Sequence, residues 1–313
     1  MIESGPNMKI IPEEGSPVER PGLDTCILLA GGLVPSPLVK MTHRLTLELW
    51  LSAHETVFGR WCDVLADLAD HAQIPMPSIR VVHSGPPYEP SYRLADERFE
   101  IQTMAEPDGY RGPAGVLRDV VRKDPPDSTI LVAEAARYIA GGLEHLYEDW
   151  MRLKPDVLVA KHPDGSPAGL MILRASALEL VQDSGFMDIK EQWLPKCVEA
   201  GLAVWTSETR HFRPYPLRTL EQYLSASAAS VGFSCPIEET GPVLGPLKPL
   251  PRQLEKSRIA DDAKVAQDAV VADAIIMPGA KVGTGAIVVR SLVCPGAVVP
   301  PGAEVVDMVV AAG

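Results

Sequence analysis

Ile276-Met277-Pro278-Gly279-Ala280-Lys281-Val282-Gly283-Thr284-Gly285-Ala286-Ile287-Val288 carries the pattern on which the fold of this chain turns. An aliphatic residue stands at every sixth place, and glycines and small residues fill most of the positions between. The same spacing links Ile259, Val265 and Val271 upstream. After one shortened step it runs through Ile276, Val282, Val288, Cys294, Pro300 and Val306. A coiling chain needs such a periodicity: the aliphatic side chain stacks inside, and glycines and small residues turn the corners. Residues 257–313 are therefore expected to form a short β-helix of about three coils, with one end capped by a partner subunit.

Upstream the pattern changes. Residues 236–256, rich in proline and glycine over Pro236–Pro251, read as a linker, and residues 1–22, with four prolines among charges, read as a loose arm. Between them, residues 23–235 alternate strand-like and helix-like segments. Leu23–Ala30, Ile79–His83, Phe99–Thr103, Ile130–Ala133, Val157–Ala160, Ala168–Leu173 and Ala203–Trp205 read as strands. Helical patterns cover Arg44–His71, with Val57, Trp61, Val64, Leu65 and Leu68 on one face, and Val116–Val121, Gly142–Leu153, Ala175–Gln182, Asp188–Glu199 and Thr219–Ala229. That alternation predicts a three-layer α/β domain with a largely parallel sheet.

Composition excludes several function classes. The chain has 313 residues, 46% of them hydrophobic, and a net charge of −12, which argues against nucleic acid or an anionic membrane as partner. Its five cysteines are scattered with no CxxC spacing, so neither a zinc site nor a disulfide framework is indicated, and buried reduced thiols are expected. The first 20 residues lack the apolar core of a signal peptide. No apolar run approaches the ~20 residues of a membrane span. A cytoplasmic location is expected. The histidines show no HxxxH or HxH spacing, no G-x-S-x-G elbow is present, and no Walker lysine follows a glycine-rich loop.

Four segments carry candidate chemistry. In the first, the apolar run Cys26–Leu29 leads into Ala30-Gly31-Gly32, where paired glycines allow a backbone to approach a phosphate closely. Pro35 and Pro37 then remove two N–H donors, and the first cations are Lys40 and Arg44, which also read as solvated surface charges. In the second, Gly112-Pro113-Ala114-Gly115 opens a helix. It either admits a planar base against the main chain or is an ordinary proline-initiated start. The third is Glu134, at the end of the central strand with Arg137 beside it. The fourth is Asp188 with Lys190, where Asp188 is equally a helix N-cap with Glu191 as its capping-box partner.

In this order the segments resemble the sugar-phosphate nucleotidyltransferase (NDP-sugar pyrophosphorylase) family. Its members join a Rossmann-like catalytic domain to a left-handed β-helix of hexapeptide repeats. The resemblance covers roughly residues 24–310. Leu29–Leu38 is similar to the family loop L-A-G-G-x-G-T-R-L-x-P-L, without its later glycine, threonine and arginine. Arg111–Leu117 resembles the G-T-A-G-A-like loop that contacts the nucleobase. Pro167-Ala168-Gly169 resembles the strand whose glycine lies beside the sugar, and Gly185–Pro195 the segment ahead of the last strand. Where the family places two metal-binding aspartates, this chain has Ala136 and Pro216, with Glu134 as a displaced candidate ligand. The β-helix also suggests acyltransferases. Those need a histidine in the coils, and no histidine lies beyond His211.

The resemblance thus implies a nucleotide- or NDP-sugar-binding or regulatory subunit impaired in catalysis. Leu29–Gly32 and Gly112–Gly115 would bind the nucleotide, and Gly169, Asp188 and Lys190 the sugar. It would assemble as a homo-oligomer or hetero-assembly through its β-helix. Two alternatives stand beside this. One is an active enzyme making an NDP-sugar and pyrophosphate, with Lys40 and Arg44 on the phosphates and Glu134 holding Mg2+. The other is a structural assembly protein with an empty pocket.

Overall fold

The computed structural model describes residues 22–32, 34–52, 55–91, 93–106, 111–230 and 257–312. Of the expected N-terminal arm only Gly22 falls among them, and the expected linker at 236–256 lies outside them. The first part is a mixed α/β unit built on a seven-stranded sheet. Its strands are β1 (Thr25–Leu29), β2 (Ser78–His83), β3 (Ile101–Ala105), β4 (Thr129–Glu134), β6 (Val157–Lys161), β7 (Pro167–Arg174) and β8 (Val204–Glu208), in spatial order β3-β2-β1-β4-β7-β6-β8.

All these strands are parallel except β7, which runs antiparallel to both neighbours. The exception follows from the turn at Asp164-Gly165. The Gly165 N–H donates to the His162 carbonyl at 2.9 Å, with Gly165 at φ 85°. Such a tight hairpin leaves no room for the crossover that a parallel neighbour needs.

The strands are buried on both faces. Cys26, Leu28, Ile79, Val81, Leu131 and Ala133 point into one core, shared with helices α2 (Val57–Ala72) and α4 (Glu144–Leu153). Ile27, Val82, Ile130 and Val132 point into the other, shared with α3 (Gly112–Val121) and α5 (Leu194–Glu199). Burial on both faces is what a mainly parallel sheet covered by helices requires.

Some local expectations shift. Only Val57–Ala72 of the 44–71 stretch is α-helix, preceded by a 3-10 turn at Thr46–Glu48. Ala175–Leu180 is a 3-10 helix. The third strand starts at Ile101, not Phe99, and runs to Ala105. A small antiparallel pair, β5 (Arg137–Gly141) with β9 (Phe212–Pro216), was not expected. It lies just past the end of β4 and proves central to the candidate site.

At the C-terminus, ten short strands (β10 to β19, Arg258–Ile259 to Val309–Val310) stack in parallel as three small sheets, an arrangement compatible with a β-helix. Ile259 pairs with Ile276, Ile276 with Val293, and Val293 with Val310. Hydrogen bonds between neighbouring coils span 17 residues. Each coil is thus two six-residue steps and one five-residue step.

This corrects the sequence register over the last coil. The inward residues are Val293, Val299 and Val305, all buried, whereas Val306 is 42% exposed. The cause is a second shortened step, from Val288 to Val293, equivalent to that from Val271 to Ile276. Asp273, Arg290 and Asp307 mark the short corner with left-handed φ values of 49°, 45° and 56°. A one-residue slip moves every side chain of a strand to the other face.

Neighbouring coils approach closely at Gly283, where a Cβ would lie 2.6 Å from the Pro301 nitrogen. The stack packs on the α/β unit through Ile275 and Leu292, which share a core with Leu38, Leu49 and Leu51. Tyr223, in α6 (Leu220–Ser230), donates to the Trp50 carbonyl beneath that junction. Among the described residues no helix is long and apolar enough to cross a membrane. Cys26, Cys62, Cys197 and Cys294 are free and buried, and burial raises each thiol pKa well above its ordinary value.

Candidate functional site

The strand order reverses between β1 and β4, and a crevice beyond the carboxyl ends of those strands is where open α/β sheets hold ligands. The glycine loop leaves β1 at that point, and its donors are already engaged. The N–H groups of Ala30 and Gly31 both donate to the Val82 carbonyl, at 2.7 and 3.1 Å, and the Gly32 N–H donates to the Ser84 hydroxyl at 2.9 Å. A Cβ on Gly31 would fall 1.9 Å from a Glu106 carboxylate oxygen. The close approach that Gly31 permits is therefore to Glu106, and burial raises that carboxyl's pKa. A carboxylate there repels phosphate oxygens and accepts N–H or O–H donors. Leu29 and Ala30 are partly buried and hold the loop on β2.

The second glycine loop is likewise packed from within. Gly112 has φ 69°, and a Cβ on it would lie 2.6 Å from the Met187 carbonyl oxygen and 2.8 Å from the Phe186 ring. The Ala114 N–H donates to the Met187 carbonyl, and the Met187 N–H to the Arg111 carbonyl. Gly115 lies under the Arg111 side chain, which is buried and ion-paired to Asp119 at 2.8 Å. Pro113 stands in the first turn of α3. This corner joins α3 to the 185–188 segment, and its glycines accommodate protein atoms.

Ala136 and Pro216, where the resemblance expects metal-binding aspartates, do come together. The Leu217 N–H donates to the Ala136 carbonyl at 2.9 Å, and Pro216 pairs with Arg137 across β5 and β9. The Arg137 side chain lies against Glu134 and Gly169. Its guanidinium donates to Glu134 from Nε at 3.1 Å and from Nη2 at 2.8 Å. It also covers Gly169, whose Cβ would fall 2.2 Å from Nε and whose φ is 76°. Glu134 is side by side with Leu29 of β1, so the pair sits at the carboxyl ends of β1 and β4. The Arg137 side chain is 11% exposed and that of Glu134 is 50% exposed.

The Mg2+ that the family resemblance implies does not fit these residues. The one carboxylate is held by a guanidinium, neither Ala136 nor Pro216 offers a side-chain oxygen, and hard cations require several oxygen ligands. Among the described residues no group of acids, histidines and cysteines is arranged to hold a metal.

The remaining candidates lie elsewhere. Lys40 is exposed on α1 (Pro37–Thr42). Arg44 lines a different cavity, between the α/β unit and the coil stack. Asp188 caps a helical turn, accepting from the Lys190 and Glu191 N–H groups at 2.8 Å each. Its reciprocal partner is Gln192 at 2.7 Å, not Glu191. The turn at Ile189–Trp193 is a π-helix, one residue wider than an α-turn, and this moves the capping partner one place along. Lys190 and Glu191 form an exposed pair.

Glu106 and Ser84 are the site residues that sequence reading missed. Glu106 follows the last residue of β3, and reading that strand as ending at Thr103 left it outside the site. No protein-family model and no curated protein matches the chain.

Proposed function

We propose that this protein is a nucleotidyltransferase-like binding or regulatory subunit that holds a nucleotide or NDP-sugar without turning it over. In this reading the α/β unit is Rossmann-like and the coil stack is a left-handed β-helix. The observation that carries the proposal is Arg137, a guanidinium held by Glu134 over Gly169, next in sequence to Ala136 and paired across strands with Pro216, the two positions where the resemblance expects metal carboxylates. A fixed cation there supplies the charge complement of a diphosphate without metal. Glu106 then faces the donor edge of the base or the ribose hydroxyls, and the diphosphate lies towards Arg137. Catalysis is disfavoured because nucleotidyl transfer brings two anionic phosphates together, and the divalent ion that normally screens that approach needs oxygen ligands that Ala136, Pro216 and the guanidinium-bound Glu134 do not offer.

Calorimetric titration with NTPs and NDP-sugars, with and without Mg2+, run beside a pyrophosphate-release assay, tests the reading. Metal-independent binding without release is expected. Turnover above an Arg137→Gln control would restore the enzyme reading.

One observation favours assembly as an added role. Val270 and Val298, on two different sheets of the coil stack, and Met308 are 51%, 56% and 53% exposed, and apolar side chains turned outward on more than one side suit a second copy or a related subunit. Light scattering of the wild type and a Val270→Lys/Val298→Lys variant checks it. An unchanged mass for the variant would remove the role.

A further inference from the structure

Arg44, separated from the strand-end site, opens a second question. It lines a cavity of about 450 Å3 at the junction of the α/β unit with the coil stack, together with Glu48, Trp50, Phe58, Arg93 and Pro295. That volume lies within the ~300–1,000 Å3 of small-molecule sites. Trp50 and Phe58 supply an aromatic wall, and Pro295 closes it from the coil side. Glu48 is 1% exposed, and its oxygens accept from the Ser91 N–H at 2.7 Å, the Leu45 N–H at 3.2 Å and the Ser91 hydroxyl at 3.4 Å, among others.

Two arginines line this cavity together. In a chain of net charge −12, several arginines find carboxylates, as Arg80 does with Asp124, Arg111 with Asp119 and Arg137 with Glu134, while others such as Arg60 donate to backbone carbonyls instead. Among the described residues neither Arg44 nor Arg93 has an ion-pair partner, although both face one cavity that also contains a carboxylate. Two free guanidinium forks beside an aromatic wall match a dianion with an apolar or planar body. The three terminal oxygens of a phosphomonoester can take up both forks, whereas the two oxygens of a carboxylate fit one.

We infer that the junction cavity is a binding site for a small phosphomonoester with an aromatic or apolar body, distinct from the strand-end crevice. The site does not depend on the function proposed above, because no residue is shared between the two.

Titration of the full chain with phenyl phosphate, inorganic phosphate and benzoate tests it, with folding of each variant checked by circular dichroism. Phenyl phosphate should bind at least about tenfold more tightly than inorganic phosphate or benzoate. Arg44→Gln and Arg93→Gln should each weaken it about tenfold, about the effect of losing one charge-assisted contact, and Arg137→Gln should leave it unchanged. The inference is overturned if phenyl phosphate fails to bind, if its binding survives loss of both junction arginines, if Arg137→Gln abolishes it, or if benzoate binds equally well.

Discussion

Two regions of this molecule present arginine, one at the strand ends and one at the junction cavity, and they differ in what the arginine already holds. At the strand ends Arg137 is clamped between Glu134 and the bare backbone of Gly169, so its position is fixed and its charge is partly neutralised. At the junction Arg44 and Arg93 have no acidic partner among the described residues, and the carboxylate beside them accepts from the Ser91 and Leu45 N–H groups. The strand-end region lies where the glycine motif points, yet its N–H donors are spent on β2. The junction lies where no motif points, yet its cations are free. A glycine motif thus offers no N–H donors to an anion where neighbouring residues already take them, and the charge complement must then come from side chains.

If the strand-end region is as closed as its packing indicates, filling its glycines should be costly. Gly112→Val would force a side chain into the Met187 carbonyl and the Phe186 ring from a left-handed backbone, and should lower unfolding free energy by about 2–4 kcal/mol in urea titration. Gly169→Ala should cost about 1–3 kcal/mol by the same measurement, because its Cβ meets the end of a long side chain that can move. Wild-type stability in either variant would mean that the region is open, as the junction is.

The charge side of the comparison can be broken directly. Installing Ala136→Asp, Pro216→Asp and Arg137→Gln together exchanges a fixed guanidinium for two carboxylates. Calorimetry should then show Mg2+ binding at least about tenfold tighter than in the wild type, since hard cations follow carboxylate count. Equal Mg2+ affinity would show that these positions do not converge on one ion.

The smallest expected effect is a pH dependence at Glu106. Burial raises its folded pKa, so the native state holds that proton more tightly than the unfolded chain. The stability this contributes is complete below the ordinary glutamate value of ~4.3 and is lost as pH rises through the folded value. Glu106→Gln should therefore raise Tm at pH 7 and leave it unchanged at pH 4. A rise of equal size at both pH values would contradict the burial of this carboxyl.

What was legible in the sequence follows the same division between local and convergent signals. The coil repeat was readable because each coil restates the same small-residue and aliphatic pattern. It failed only in the last coil, where a second five-residue corner at Arg290 broke the count, and nothing in the side chain of arginine announces a left-handed turn. The parallel sheet was readable from apolar runs such as Ile130–Ala133. The antiparallel pair β5 with β9 was not, because Arg213-Pro214-Tyr215-Pro216 carries prolines that argue against a strand, and its partner lies about 75 residues earlier in sequence. The site suffered most. Which N–H groups the glycine loop spends depends on Val82 of a neighbouring strand and on Ser84 just past its end, and what fills the space over Gly112 depends on Phe186.

The account rests on Arg137 acting as a fixed cation for a diphosphate, and titration of an NDP-sugar panel in EDTA measures this most directly. The wild type should bind without metal, Arg137→Gln should weaken binding by tenfold or more, and Arg44→Gln should leave it unchanged. Binding that requires Mg2+, or that persists unaltered in Arg137→Gln, would contradict it.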